Sequence, residues 1–195
     1  MRVSRQKAAE NRERIIEAAG ALLRANGISG IGVADIMKAA DLTHGGFYGH
    51  FDSKDDLVAQ ACRKVTAHAA ERWGKTAAKA PNDPYAALLT HYLQPRHRDE
   101  PGQGCCFAAL GADAARSSAV VQDAFAEGLE PLIDLLAQSA PGKTKAERRR
   151  KGVAAMAGLV GALLLARAIG SKDNKDLSDE ILAATRHELL AVGNR

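Results

Sequence analysis

Residues 33–51 read V-A-D-I-M-K-A-A-D-L-T-H-G-G-F-Y-G-H-F, and this stretch decides the fold. Val33, Ile36, Met37 and Ala40 recur at i, i+3, i+4 and i+7, the spacing of one apolar helix face. Gly32 takes the N-cap position, where a residue without a hydroxyl is tolerated. Asp41-Leu42 makes a turn. Thr43 then caps a second short helix whose inner face is Phe47 and Phe51. Two helices joined by so tight a turn form a helix-turn-helix, a unit whose second helix enters the DNA major groove.

Outward from this stretch the chain continues as helices. Upstream, Ile15, Ala19, Leu22 and Leu23 keep helical spacing until Asn26-Gly27 closes the turn. Downstream, Ser53-Lys54-Asp55-Asp56 is an acidic capping box opening a long helix through Leu57, Val58, Ala61 and Val65 towards Trp73. Ala80 to Pro84 breaks it, and a short helix spans about Tyr85 to Leu93. Gln94 to Gly104 reads as loop. Further helices are expected from Cys105 to about Arg116, from Ser117-Ser118 past Pro131, and from the Thr144 to Glu147 capping box to Ile169. The last is capped by Ser178 and ends near Gly193. No strand alternation occurs, so the expected class is all-α, with about nine helices.

Composition narrows the function classes. The chain has 195 residues, 46% hydrophobic and 26% charged, ordinary for a globular protein. Aromatics are only 4%, so Ala, Leu, Val and Ile must fill the core. The net charge of +4 mildly favours polyanion partners, but it is unevenly placed. Arg2, Arg5, Lys7, Arg12 and Arg14 crowd the first residues, and Lys143, Lys145 and Arg148 to Lys151 form a second cluster. The cluster at 148–151 reads as a solvated helix end. The three cysteines do not form a secreted disulfide framework. The N-terminus lacks an apolar signal region. The longest apolar run, Gly152 to Ala166, is shorter than the roughly 20 residues of a membrane span. A cytoplasmic, nucleoid-associated protein without a membrane partner is expected. No P-loop, dinucleotide fingerprint, zincin motif or nucleophile elbow is present, so neither an enzyme nor a cofactor or metal site is expected.

The motifs resemble the TetR family of bacterial transcriptional regulators, in its TetR/AcrR-like form. Gly30, Val33, Asp35, Ile36, Ala39 and Ala40 match one part of its pattern. Leu42, Thr43, Gly45, Phe47, Tyr48, His50, Phe51, Ser53, Lys54 and Leu57 match a more specific part. Gly104, Cys105, Ala109 and Leu110 are similar to a mid-chain helix start found in parts of the family. The resemblance implies a helix-turn-helix domain at residues 1–56 and a helical ligand-binding and dimerisation domain at residues 57–195. It implies a homodimer that binds a palindromic operator in double-stranded DNA and releases it to a small apolar or aromatic inducer. The alternative is an all-helical enzyme or carrier in which Thr43 to Phe51 only packs. The chain departs from the family at several points. Asp41 replaces the usual turn glycine; Asp tolerates the left-handed conformation. Gly32 replaces a capping hydroxyl, Ala34 a basic or polar residue, and Gly46 and Gly49 bulkier ones.

Candidate DNA contacts follow. Thr43, Tyr48 and His50 can bond phosphates, as can backbone N–H groups at the start of the reading helix. His44 is the side chain placed to reach a base edge, with Gly45 and Gly46 beside it. Val33 and Ala34 begin the first helix of the motif, Lys54 is a candidate phosphate anchor, and Arg2, Arg5 and Lys7 a candidate arm. Tyr92, Phe107, Leu110, Phe125, Leu132 and Leu136 are the candidate ligand-pocket walls. Cys105 and Cys106 follow Arg96, His97 and Arg98 at a helix start, features that lower a thiol pKa. They read either as an oxidant or electrophile sensor or as a buried apolar pair. Ala154, Gly158 and Ala162, and Ala157 with Gly161, allow close helix approach. With Ile181, Leu182, Leu189 and Leu190 they suggest a four-helix interface across a two-fold axis.

Overall fold

The computed structural model describes residues 5–170 and 174–193. Arg2 of the candidate arm lies outside them. Among the described residues the fold is all-α, with helices α1 (Arg5–Asn26), α2 (Val33–Ala39), α3 (Lys54–Lys79), α4 (Pro84–Tyr92), α5 (Pro95–Asp99), α6 (Cys106–Ala114), α7 (Ala119–Ser139), α8 (Lys145–Ala168) and α9 (Lys175–Gly193). Short 3-10 helices at His44–Gly49 and Pro101–Gln103 complete the path.

Local chemistry accounts for the ends. Gly27, at φ +78°, donates its N–H to Leu23 O at 2.8 Å and closes α1. α3 is capped by Ser53 Oγ, which accepts from Asp56 N, and α8 by Thr144 Oγ1, which accepts from Glu147 N. Asp83 does the same for α4 through Ala86 N, and Pro84 takes the first helical position.

Two segments differ from expectation. Residues 94–104 are not loop: Pro95 and Pro101 each stand at a helix start, where their fixed φ presets a turn and no N–H is lost. Ser178 does not cap α9, which already begins at Lys175. It is fully buried one turn inside, donating to Ala166 O at 2.7 Å and accepting from Arg98 Nη1 at 2.9 Å. That bond joins α9 to α8 and α5.

Buried side chains form two groups. The first gathers Ile15, Leu23, Ile36, Met37, Phe47, Phe51 and Leu57 with Cys62, Cys106, Leu110 and Val121. The second gathers Trp73, Leu88, Tyr92, Phe107, Leu132 and Leu136 with the inner faces of α8 and α9. α3, α6 and α7 contribute to both, so the hydrophobic core changes hands within these helices. α3 lies along α7, α7 along α8 and α8 along α9. α8 has the length and apolarity of a membrane span, at mean hydropathy 1.5 over its most apolar window, because it extends beyond the run counted from Gly152. Here its inner face packs against α7 and α9.

Candidate functional site

The helix-turn-helix is held from three sides. In the turn, Asp41 N donates to Lys38 O at 3.0 Å and Leu42 N to Met37 O at 2.9 Å. These paired bonds are the Schellman ending of a helix, with a left-handed residue just past its last turn. Asp41 supplies it at φ +53°, in the role that glycine usually takes. Arg14 of α1 reaches Asp41 at 3.2 Å. At the start of α2, Asp35 Oδ2 accepts Gly32 N–H at 3.0 Å, closing the cap that Gly32 cannot make by side chain.

The segment expected as a second α-helix is a 3-10 helix, His44–Gly49. Its bonds run three residues back: Gly46 N to Thr43 O and, at its end, His50 N to Phe47 O. Gly45, Gly46 and Gly49 are the cause, since each lowers α-helical stability by about 1 kcal/mol against Ala. Thr43 holds the N-cap backbone position but makes no side-chain cap bond. Phe47 fastens the segment. It is 1% exposed and stacks on Phe51 with ring centroids 5.6 Å apart, while Tyr48 beside it is 73% exposed. Burying a side chain of that size stabilises by roughly 1.5–3 kcal/mol. One ring inward therefore presents the other outward.

The sequence candidates fall into two sets. Thr43, His44, Gly45 and Tyr48 are exposed on one short segment, with Gly46 and His50 half-buried behind them. Ala34 is exposed at the start of α2 and Val33 half-buried. Lys54 differs: its ammonium donates to Ile28 O at 2.5 Å and Ile31 O at 2.6 Å, so it clamps the loop before α2. Asp113 of α6 holds the same loop from the other side, accepting Ile28 N–H at 2.8 Å. Arg5 and Lys7 lie in the first turns of α1. Arg12 sits over the Phe51 ring at 5.3 Å and pairs with Gln60. Arg149 bonds Glu130 and Asp134 of α7 at 2.7 Å, so the 148–151 cluster carries ion pairs of its own bundle.

The interior holds a cavity of about 30 Å³ and, beside it, an open recess of about 280 Å³. Arg72, Trp73, Tyr92 and His97 wall both. Of the expected pocket residues, Tyr92, Phe107 and Leu132 line the cavity. Leu110 does not, because α6 turns it into the N-terminal core. Leu136 and Phe125 pack in the core outside it, Phe125 edge-on to Phe107 with centroids 5.4 Å apart. Trp73, His97 and Arg72 were missed by sequence reasoning. Helical spacing placed Trp73 on an inner face, but nothing local brings α3 to the 94–104 segment. His97 accepts Cys105 N–H at Nε2, 2.9 Å, which leaves Nδ1 protonated to donate to Tyr92 O at 2.8 Å. Burial, with Arg167, His91 and Arg72 nearby, lowers its pKa to about 4.

Cys105 and Cys106 do not act as a pair in the fold. Cys106 is buried with its sulfur 3.4 Å from Cys62, and that contact, then burial, raises its thiol well above the ordinary value. Cys105 is half-buried at the cavity wall. Adjacent in sequence, the two part because successive residues at a helix start point to different sides.

A family model described as bacterial regulatory proteins, tetR family, matches residues 15–61. The HTH-type transcriptional regulator AcrR of Shigella flexneri is 33% identical over 96 residues. Residues 15–61 are thus similar to the tetR family of bacterial regulatory proteins. The aligned stretch covers 48% of this chain and 45% of AcrR, less than half the length of that relative. Across the whole fold, the chain superposes on the reduced form of E. coli NemR with a TM-score of 0.77 at 20% identity, covering 94% of this chain and 96% of that one. A TetR-family regulator from Agrobacterium tumefaciens superposes at 0.76 and 21% identity, covering 95% and 99%. At such identities the likeness is one of fold. The helical arrangement of the described residues beyond residue 61 is therefore shared with these structures.

Proposed function

We propose that this protein is a ligand-responsive transcriptional regulator, a repressor that binds a palindromic operator as a homodimer and leaves it when a small molecule enters the C-terminal helices. One observation carries the reading. The Schellman turn at Asp41 and the buried Phe47 hold Thr43, His44, Gly45 and Tyr48 outward on one short segment, as a groove-reading element requires. The working division is residues 1–56 for DNA and 57–195 for ligand and partner.

The dimer face is the outer side of α8 and α9. Val153, Leu164, Leu165 and Leu177 are exposed there, 40–53% accessible, among Ala154, Ala157 and Gly161. Exposed leucines in such a row suit burial against a second copy. Ala162 and Leu182 of the expected interface face inward instead, packed in the protomer core. Two reading heads on one dimer meet half-sites about one DNA turn apart.

Release is a population shift: the ligand favours a conformer whose heads are wrongly spaced, by as much as its affinities for the two conformers differ. The 95–104 segment is well placed to carry it. His97 walls the cavity, Arg24 of α1 donates to Gly102 O, and Asp113 of α6 holds the loop before α2.

Anisotropy titration against labelled upstream intergenic DNA, with competitor and a salt series, tests the reading. Competitor-resistant binding with a steep salt slope supports it. Failure to retain any genomic fragment in a bound-fragment selection overturns it in favour of an all-helical carrier.

A further inference from the structure

Several polar groups around the recess and the cavity already have partners. His97 is satisfied on both nitrogens and stays neutral. Thr66 donates within its own helix, to Cys62 O at 2.9 Å. Arg96 is matched by Glu100 at 3.0 Å. Two donors remain. Tyr92 Oη is buried with no hydrogen-bond partner among the described residues, and its phenol is held protonated by burial and the neighbouring Cys105. Arg72 has no carboxylate paired with it among the described residues. Arg167 adds a second positive charge behind Tyr92 and His97, and its own Nη1 is buried without a partner.

Aromatic rings form one side of the wall, and Gln94, Glu100 and Gln103 lie elsewhere on it. Trp73 and Tyr92 meet edge to face with centroids 5.8 Å apart, and Tyr92 and His97 at 4.5 Å. An unsatisfied buried donor costs free energy until an acceptor reaches it. Arg72 is exposed, and its unpaired guanidinium on the recess wall favours an anion through charge-assisted hydrogen bonds. A recess of about 280 Å³ has room for a small aromatic ligand.

Building on the regulator reading above, we infer that the effector is a small aromatic carboxylate. Its ring lies against Trp73 and Tyr92, and its carboxylate accepts from Tyr92 O–H and the Arg72 guanidinium. This narrows the class from any apolar molecule to an aromatic acid.

Trp73 is the sole tryptophan of the chain, so its emission reports the site directly and without DNA. The intact protein is titrated with benzoate and phenylacetate, and in parallel with benzamide as the uncharged match. The acids are expected to shift or quench Trp73 emission saturably, with benzamide at least about tenfold weaker. Arg72→Gln and Tyr92→Phe should each weaken the acids by about tenfold and leave benzamide unchanged, with unaltered circular dichroism as the control for folding. Equal binding of acid and amide, or no saturable response to either acid at millimolar concentration, overturns the inference. Anisotropy on operator DNA separates the two readings. Operator binding that releases only to uncharged rings keeps the regulator and removes the acid. Saturable acid binding by a protein that holds no DNA does the reverse.

Discussion

Cys62 of α3 and Cys106 of α6 bring their sulfurs to 3.4 Å across the interior, while Cys105, one residue before Cys106, lines the cavity instead. Proximity alone does not make the buried pair reactive. The Cys62 contact and burial both hold the Cys106 thiol protonated, and the thiolate is the reacting form. Cys105 should therefore react first with Ellman's reagent at neutral pH, and Cys105→Ser should abolish the fast phase. Cys62 and Cys106 should appear only on unfolding. A fast phase that survives in Cys105→Ser would assign the reactivity to the buried pair.

Asp41 sits at φ +53° in the turn of the helix-turn-helix. Ala there is strained by about 1–2 kcal/mol, whereas Gly is not. Urea unfolding should show Asp41→Ala destabilised by that amount and Asp41→Gly close to the parent, with the exposed Arg14 pair adding little. Equal loss in both variants would trace the effect to the ion pair.

Two glycines on α8 separate the protomer core from the proposed dimer face. A Cβ at Gly152 would lie 2.8 Å from Ala137 N and 3.0 Å from Ile133 O, backbone atoms that cannot move aside. Gly152→Ala should lower protomer stability by about 1–3 kcal/mol through overpacking. At Gly161 a Cβ meets nothing within 4 Å. Gly161→Arg should leave the fold intact by circular dichroism yet halve the mass seen by light scattering. A parent protein that scatters as a monomer at micromolar concentration removes the dimer.

His97 has its pKa lowered from 6.5 to about 4, first by burial. The unfolded chain thus binds a proton that the folded one refuses. Its contribution is complete above pH 6.5 and is lost as pH falls towards 4, on the order of 3 kcal/mol in all. Thermal melts between pH 7 and 4 should steepen downwards in the parent, and His97→Gln should flatten that part of the slope. Parallel curves would mean that other groups carry the acid sensitivity.

Much of this was legible in sequence. Val33 to Phe51 determined the helix-turn-helix because its information is local: apolar spacing, a turn residue able to take positive φ, and two phenylalanines four apart. The helix ends at Gly27, Ser53 and Thr144 were readable for the same reason. Tertiary structure decided what depends on facing. It made His44–Gly49 a 3-10 helix, because three glycines leave packing of Phe47 to choose the winding. It turned Lys54 onto two carbonyls, Leu110 into the N-terminal core and Ser178 under Arg98. It also assembled Arg72, Trp73, Tyr92 and His97 from three separate helices. A helical repeat tells which residues share a side, but the neighbour on that side is set by long-range packing, which no local pattern encodes.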